Sequence, residues 1–157
     1  MMFRCVPVDT TVAERFRREG RDDRGGALRR MRASGSGFPC RHCLQLATEG
    51  EEVLLGSYDL PRPRGIYWTP SPIFLHAGPC ERFRQDDVLA PVVLRNPLVS
   101  VRAYDAADQC LYALGEVCDG AMAEVPLLRA LRHPDTAFVN IHTARPGCLL
   151  TRVEKPG

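Results

Sequence analysis

The stretch Leu98-Val99-Ser100-Val101-Arg102-Ala103-Tyr104-Asp105 decides the fold class, because its apolar and polar side chains alternate with the period of a strand. A polar turn, Asp105-Ala106-Ala107-Asp108, leads from it into Gln109 to Cys118, read as a second strand. A helix is predicted over Val125 to Arg132, with Pro126 tolerated near its start and Leu127, Leu128 and Leu131 facing inward. His133-Pro134-Asp135 ends it. Ala137 to His142 and Cys148 to Val153 then form a hairpin around Thr143-Ala144-Arg145-Pro146-Gly147. The order strand–strand–helix–strand–strand implies an α+β fold with a mostly antiparallel sheet and two or three helices.

Working outward, Glu52 to Tyr58 and Ser71 to His76 read as two more strands, with the loop Pro61-Arg62-Pro63-Arg64-Gly65 between them. Asp86 to Asn96 is helical only at its end, where Pro91 must occupy a first turn. Near the start, Phe3 to Val8 reads as a strand that Pro7 confines to an edge. A helix over Thr11 to Glu19 is predicted from a capping box, Thr11-Val12-Ala13-Glu14, and from Gly20 as its stop. Ala33-Ser34-Gly35-Ser36-Gly37 is the best internal joint but is too short to mark a boundary, so one domain over residues 1–157 is expected.

With 157 residues, 45% hydrophobic and 25% charged, the chain can bury a core without disulfides, and disorder, coiled coil and collagen are excluded. The apolar run Val88 to Leu94 is far short of a bilayer span, and Met1 to Cys5 lacks the apolar stretch of a signal peptide. These features predict a soluble, cytoplasmic protein with no membrane association. Residues 1–33 hold nine Arg against five acidic side chains. Their interleaving at helical spacing, with Glu14 four residues before Arg18, predicts a solvated salt-bridged face. No aromatic side chains alternate with these arginines, so nucleic acid is disfavoured as a partner, leaving a small molecule or another protein.

Seven cysteines in a chain with no export signal are expected to be free, metal-bound or catalytic. Cys40-Arg41-His42-Cys43 supplies two thiols at knuckle spacing, and His76-Ala77-Gly78-Pro79-Cys80 supplies an imidazole and a third thiol. Three thiolates and one imidazole suit zinc, and a site with four protein ligands is closed and therefore structural. The layout knuckle, hairpin, second pair resembles a treble-clef finger within residues 38–84, in which Glu81-Arg82-Phe83 would start a short helix. The spacing of the second pair is one residue longer than is usual in such fingers, and no glycine follows Cys43 to ease the turn. The alternative is that Cys40 and Cys80 are buried thiols and His76 a hydrogen-bonded strand residue. His42 is expected at the surface. A thioredoxin-type role is disfavoured because Gly35-Ser36-Gly37-Phe38-Pro39, and not a strand, precedes the pair.

A second candidate lies in the sheet. If the strands starting at Leu98 and Ala137 are neighbours, Arg102, Tyr104, Asn140 and His142 share one face, with Cys148 opposite His142 and Arg145 on the adjoining turn. Such a group could bind an anion, or use Cys148 as nucleophile and His142 as base. The alternative is a row of half-exposed sheet residues satisfied by neighbours and water. The leading functional class is thus a small binding or accessory protein with a structural zinc. The rival is an enzyme or small-anion-binding protein using the polar face.

Several segments together resemble the bacterial family described as domain of unknown function 1203. They are Gly20-Arg21-Asp22-Asp23, Pro39 to Leu44, Gly50 to Leu55, Pro72 to Cys80, Val101 to Ala106 and Ala144 to Cys148. The resemblance implies a small stand-alone bacterial protein and carries over no activity. It also implies that relatives can lack counterparts of Cys43 and His76, so that a metal would be added to a fold able to form without it.

Overall fold

The computed structural model describes residues 1–156. Two antiparallel sheets organise the chain. The larger has five strands: β1 (Arg4–Val6), β5 (Val99–Tyr104), β6 (Glu116–Cys118), β7 (Phe138–Thr143) and β8 (Leu149–Glu154), in the order β1-β8-β7-β5-β6. The smaller is a meander of β2 (Arg29–Arg32), β3 (Glu52–Asp59) and β4 (Pro70–His76). Three helices complete the fold: α1 (Thr10–Glu19), α2 (Pro91–Leu94) and α3 (Glu124–Arg132). None is long and apolar enough to cross a membrane.

Each face of the large sheet has its own core. Val99, Val101, Val139 and Ile141 point to one side, where Val92 and Val93 of α2 and Leu127 and Leu131 of α3 pack on them, all buried. On the other side Leu149 of β8 meets Phe16 of α1, Tyr58 of β3 and Ile73 and Leu75 of β4. Burying a side chain of this size contributes about 1.5–3 kcal/mol relative to leaving it in water. The second core lies beside Cys40 and Cys43, which belong to it.

Local signals account for several boundaries. Pro91 sits in the first turn of α2, where its missing N–H is no loss. Gly20 ends α1 at φ +65° and gives its N–H to Phe16 O at 2.9 Å. The capping box is not used: α1 starts at Thr10 behind Asp9, and neither residue caps through its side chain. The Thr10 hydroxyl is instead 2.9 Å from His42 Nε2. Leu127 and Leu131 face inward, whereas Leu128 is only half buried. The strand read over Gln109 to Cys118 is shorter than expected. Cys110 makes one bridge to Tyr104, a 3-10 turn covers Tyr112–Leu114, and only Glu116–Cys118 is strand. The Glu14–Arg18 pair is absent among the described residues; Arg15 pairs with Asp23 at 2.5 Å and Arg18 lies 3.5 Å from Glu19. Strand β2 was not expected, because Arg29-Arg30-Met31-Arg32 carries no alternation.

Candidate metal centre

Cys40 and Cys43 lie in a turn that closes on itself through Leu44 N to Cys40 O at 3.0 Å and Cys40 N to Gln45 O at 2.9 Å. The turn requires a left-handed residue, and Leu44 supplies it at φ +57°. A leucine there is strained by about 1–2 kcal/mol. Complete burial of its side chain against the first core offsets that strain. The glycine that eases most such turns is therefore not needed here. His76 is the last residue of β4, and Cys80 follows after a short loop. Residues 81–85 are irregular, so the helix expected at Glu81-Arg82-Phe83, and with it that part of the treble-clef layout, is not formed.

The four groups converge. One ligand atom from each of Cys40, Cys43, His76 and Cys80 lies within 4.8 Å of all the others. Cys40 Sγ is 3.9 Å from Cys80 Sγ, and Cys43 Sγ is 3.4 Å from His76 Nδ1. With Zn–S of about 2.3 Å and Zn–N of about 2.0–2.1 Å, a tetrahedron has S–S edges of about 3.8 Å and S–N edges of about 3.6 Å. These two separations lie close to those edges, and the 3.9 Å between sulfurs is far too long for a disulfide of about 2.05 Å. Among the described residues this is the one group of three or more such side chains with this property.

The surroundings suit a bound cation held by thiolates. His76 turns Nε2 toward Glu51 Oε2 at 3.5 Å, leaving Nδ1 for the centre. Glu51 is fixed by Thr48, whose N–H and hydroxyl lie 2.7 and 2.6 Å from Oε1. Carboxylate–imidazole pairs of this kind orient metal-bound histidines. Cys40 Sγ receives the His76 backbone N–H at 3.4 Å. Cys80 Sγ receives Arg17 Nη2 at 3.4 Å, and Arg17 Nε donates to His76 O at 3.0 Å. Three thiolates around a dication would carry one net negative charge, next to which the Arg17 guanidinium already stands.

His42 is not at the surface. It is 1% exposed, with Nδ1 3.1 Å from Cys80 Sγ and Nε2 against Thr10. Burial lowers its pKa below the ordinary imidazole value. The ring thus bridges the Thr10 hydroxyl and the Cys80 sulfur, one contact from each nitrogen. The crowded thiols split in acidity. Hydrogen bonds from Cys43 and Cys80 hold Cys40 well below an ordinary thiol, and the same pairing with Cys40 pushes Cys43 well above. Hydrogen bonding to Cys40 and Cys80 pushes His76 up to about 10. The common cause is the crowding of three thiols and one imidazole around one point.

Sequence reasoning placed the four ligand candidates but missed Thr10, Arg17 and His42. The first two had a readable signal: Thr10, Ala13 and Arg17 fall at i, i+3 and i+7 along the buried stripe of α1. His42 had none.

The polar sheet face is assembled in part. Arg102 pairs with Asn140 and Ser100 with His142, so Arg102, Tyr104, Asn140 and His142 do share one side. The loop after β3 covers much of it. Asn140 Nδ2 donates to Arg62 O at 3.1 Å, the Arg62 guanidinium lies 4.2 Å over the Phe138 ring, and Tyr67 meets Tyr104 edge-on. Asp108 clamps this loop, accepting from Arg62 Nε at 3.0 Å and Arg64 N at 2.7 Å. Asn140 and His142 are buried, and Arg145 stays exposed on the turn. Cys148 does not face His142. A bulge puts Leu149 there, and His142 Nδ1 is taken by Gly147 O at 2.9 Å. No hydrogen bond joins His142 to Cys148 among the described residues, so nucleophile and base are not brought together.

His142 carries a pH dependence of its own. Burial, reinforced by the nearby Arg102 charge, lowers its pKa to about 4 from 6.5, and its Nε2 has no partner among the described residues. The folded state then binds fewer protons than the unfolded chain between these values, so stability is lost as pH falls from 6.5 toward 4. The loss from this group is about 2–3 kcal/mol between pH 7 and pH 4. Denaturant titrations should show wild type losing that much more than His142→Gln over this range; parallel curves would contradict the assignment.

No curated protein and no solved structure matches the chain. The family described as Protein of unknown function (DUF1203) matches residues 37–155, a span that begins just before the knuckle and holds all four converging side chains and both cores' central strands. The chain belongs to that family.

Proposed function

We propose that this chain binds one zinc ion through Cys40, Cys43, His76 and Cys80, and that it acts as a small binding or accessory protein whose metal is structural. The observation that carries the reading is the pair of distances, 3.9 Å between Cys40 and Cys80 sulfurs and 3.4 Å from Cys43 Sγ to His76 Nδ1. Soft thiolates with an imidazole select zinc over oxygen-seeking ions such as magnesium. All four positions are protein groups, so no place is kept for a reacting water. The role of the ion is then to tie the knuckle to the end of β4, two segments that nothing covalent joins locally.

Zinc affinity measured by competition with a chromogenic chelator tests this. Cys43→Ser and His76→Ala should each weaken binding by more than about a hundredfold, beyond the tenfold to hundredfold typical of outer partners. Arg17→Gln should fall within that smaller range, and Cys110→Ser, remote from the centre, should change nothing. Wild-type affinity in Cys43→Ser would refute the assignment.

A further inference from the structure

Arg41 sits between the two knuckle cysteines in sequence, yet its side chain takes no part in the metal centre. It is 3% exposed, with Nε donating to Leu149 O and Nη1 to Pro39 O, both at 2.7 Å. Both acceptors are neutral carbonyls. No carboxylate reaches it among the described residues, and its Nη2 finds no protein acceptor there. Buried charges are ordinarily paired, because removing an ion from water costs several kcal/mol unless a counter-charge is present. The negative groups that act on it within the chain are the Cys148 and Cys40 thiols and not a carboxylate, which leaves Nη2 open to an anion in the adjoining cavity.

The place for one is adjacent. A cavity of about 370 Å³ is lined by Arg41, Arg95, Asn96 and Thr143 together with the apolar side chains of Leu46 and Phe74, and it has no acidic residue in its wall. Arg95 is exposed and likewise has no carboxylate partner among the described residues. Two guanidinium groups without a carboxylate partner on one cavity provide donors for a carboxylate, which Arg binds through two parallel N–H···O bonds. The apolar walls and the volume, near the lower end of small-molecule sites, fit a ligand with a compact apolar body.

We propose that this cavity is a binding site for a small organic monocarboxylate, held by Arg41 and Arg95 at its charged end and by Leu46 and Phe74 along its body. Cys148, expected on the polar sheet face, lies in the wall of this cavity, and Arg41 is anchored by Pro39 and Leu149, neither of them a metal-ligand candidate.

The test uses the full chain as purified, titrated with benzoate, its neutral isostere benzamide and inorganic phosphate, with binding followed by calorimetry or ligand-observed NMR. Benzoate should bind, and benzamide about tenfold or more weaker, since losing the charge-assisted bonds is worth at least one factor of ten. Arg95→Gln, an exposed position, should weaken benzoate at least about fivefold with an unchanged melting temperature. Arg41→Lys, which keeps the charge and loses the planar fork, should weaken it about tenfold. The proposal is overturned if benzamide binds as well as benzoate, if Arg95→Gln leaves the affinity intact, or if no benzoate binding is detected at about 10 mM, the limit of weak specific recognition. Phosphate binding tighter than benzoate would overturn the organic body and leave an inorganic anion site. Absence of zinc from the purified protein bears only on the metal centre; the proposal stands or falls on the comparison of benzoate with benzamide and on Arg95→Gln.

Discussion

Stripping the metal with a strong chelator should lower the stability of the chain by about 4 kcal/mol or more, the linkage contribution of a ligand held a thousandfold above its dissociation constant. For a chain of this size that corresponds to a fall in melting temperature of about 10 °C or more. The physical reason is local. The knuckle around Cys40 and Cys43 contains a strained Leu44, and the loop from Ala77 to Gln85 holds no regular structure. Without a cation the sulfurs of Cys40, Cys43 and Cys80 crowd one another. The five-stranded sheet has its own core of Val99, Val101, Val139 and Ile141, to which none of the four ligand candidates belongs. Amide exchange should therefore accelerate first in residues 38–46 and 76–85, while β5 and β7 stay protected. A melting temperature indifferent to the chelator, with exchange unchanged in both segments, would contradict this.

Gly120→Ala should be the most damaging single methyl group in the molecule, destabilising by about 4 kcal/mol, at the upper end of overpacking effects. A Cβ at this position would lie 2.5 Å from Asn96 O and closer still to Val93 O. Both are backbone atoms, so neither can swing aside as a flexible side chain would. Asn96 O also accepts the Gly120 N–H at 2.9 Å, which fixes the approach. Val93 is fully buried in α2, and Ala123, at the other end of the same turn, is fully buried beneath α3. Relief would thus require moving α2 off the sheet. Gly37→Ala is the control: nothing lies within 4 Å of its Cβ, and the change should stay within about 0.5 kcal/mol. Denaturant midpoints for the two variants decide the matter; near-wild-type stability of Gly120→Ala would mean the contact between α2 and this turn is looser than described.

What could be read from the sequence were features with a local cause. Alternation in Val99 to Tyr104 and Phe138 to His142 marks strands because one side chain in two meets a core. Gly20 and Pro91 act through their own backbone limits, so their positions carry over directly. The four ligand candidates were legible because thiol and imidazole chemistry is rare and their spacing is compact. The remainder depends on groups distant in sequence. The helix starts one residue before the predicted cap, with Asp9 at its N-cap, and the Thr10 hydroxyl meets His42, thirty-two residues away. His42 itself was assigned to the surface, since nothing nearby announces that α1 will cover it. One bulge between Ile141 and His142 moves Leu149 into the position expected of Cys148, and a slip of a single residue exchanges the two faces of a strand. Alternation places Arg102, Tyr104, Asn140 and His142 on one side of the sheet, as the strand register has them, but the Arg62 loop that covers part of it is set by Asp108, for which alternation says nothing.

The account stands on four side chains from two separate segments meeting around one ion. X-ray absorption at the zinc edge, on protein reconstituted with one equivalent of zinc, reads that meeting directly. It should give a first shell of three sulfurs at about 2.3 Å and one nitrogen at about 2.0–2.1 Å. A shell of nitrogen and oxygen alone, or protein that retains no zinc after gel filtration, would mean the convergence of Cys40, Cys43, His76 and Cys80 has no metal at its centre.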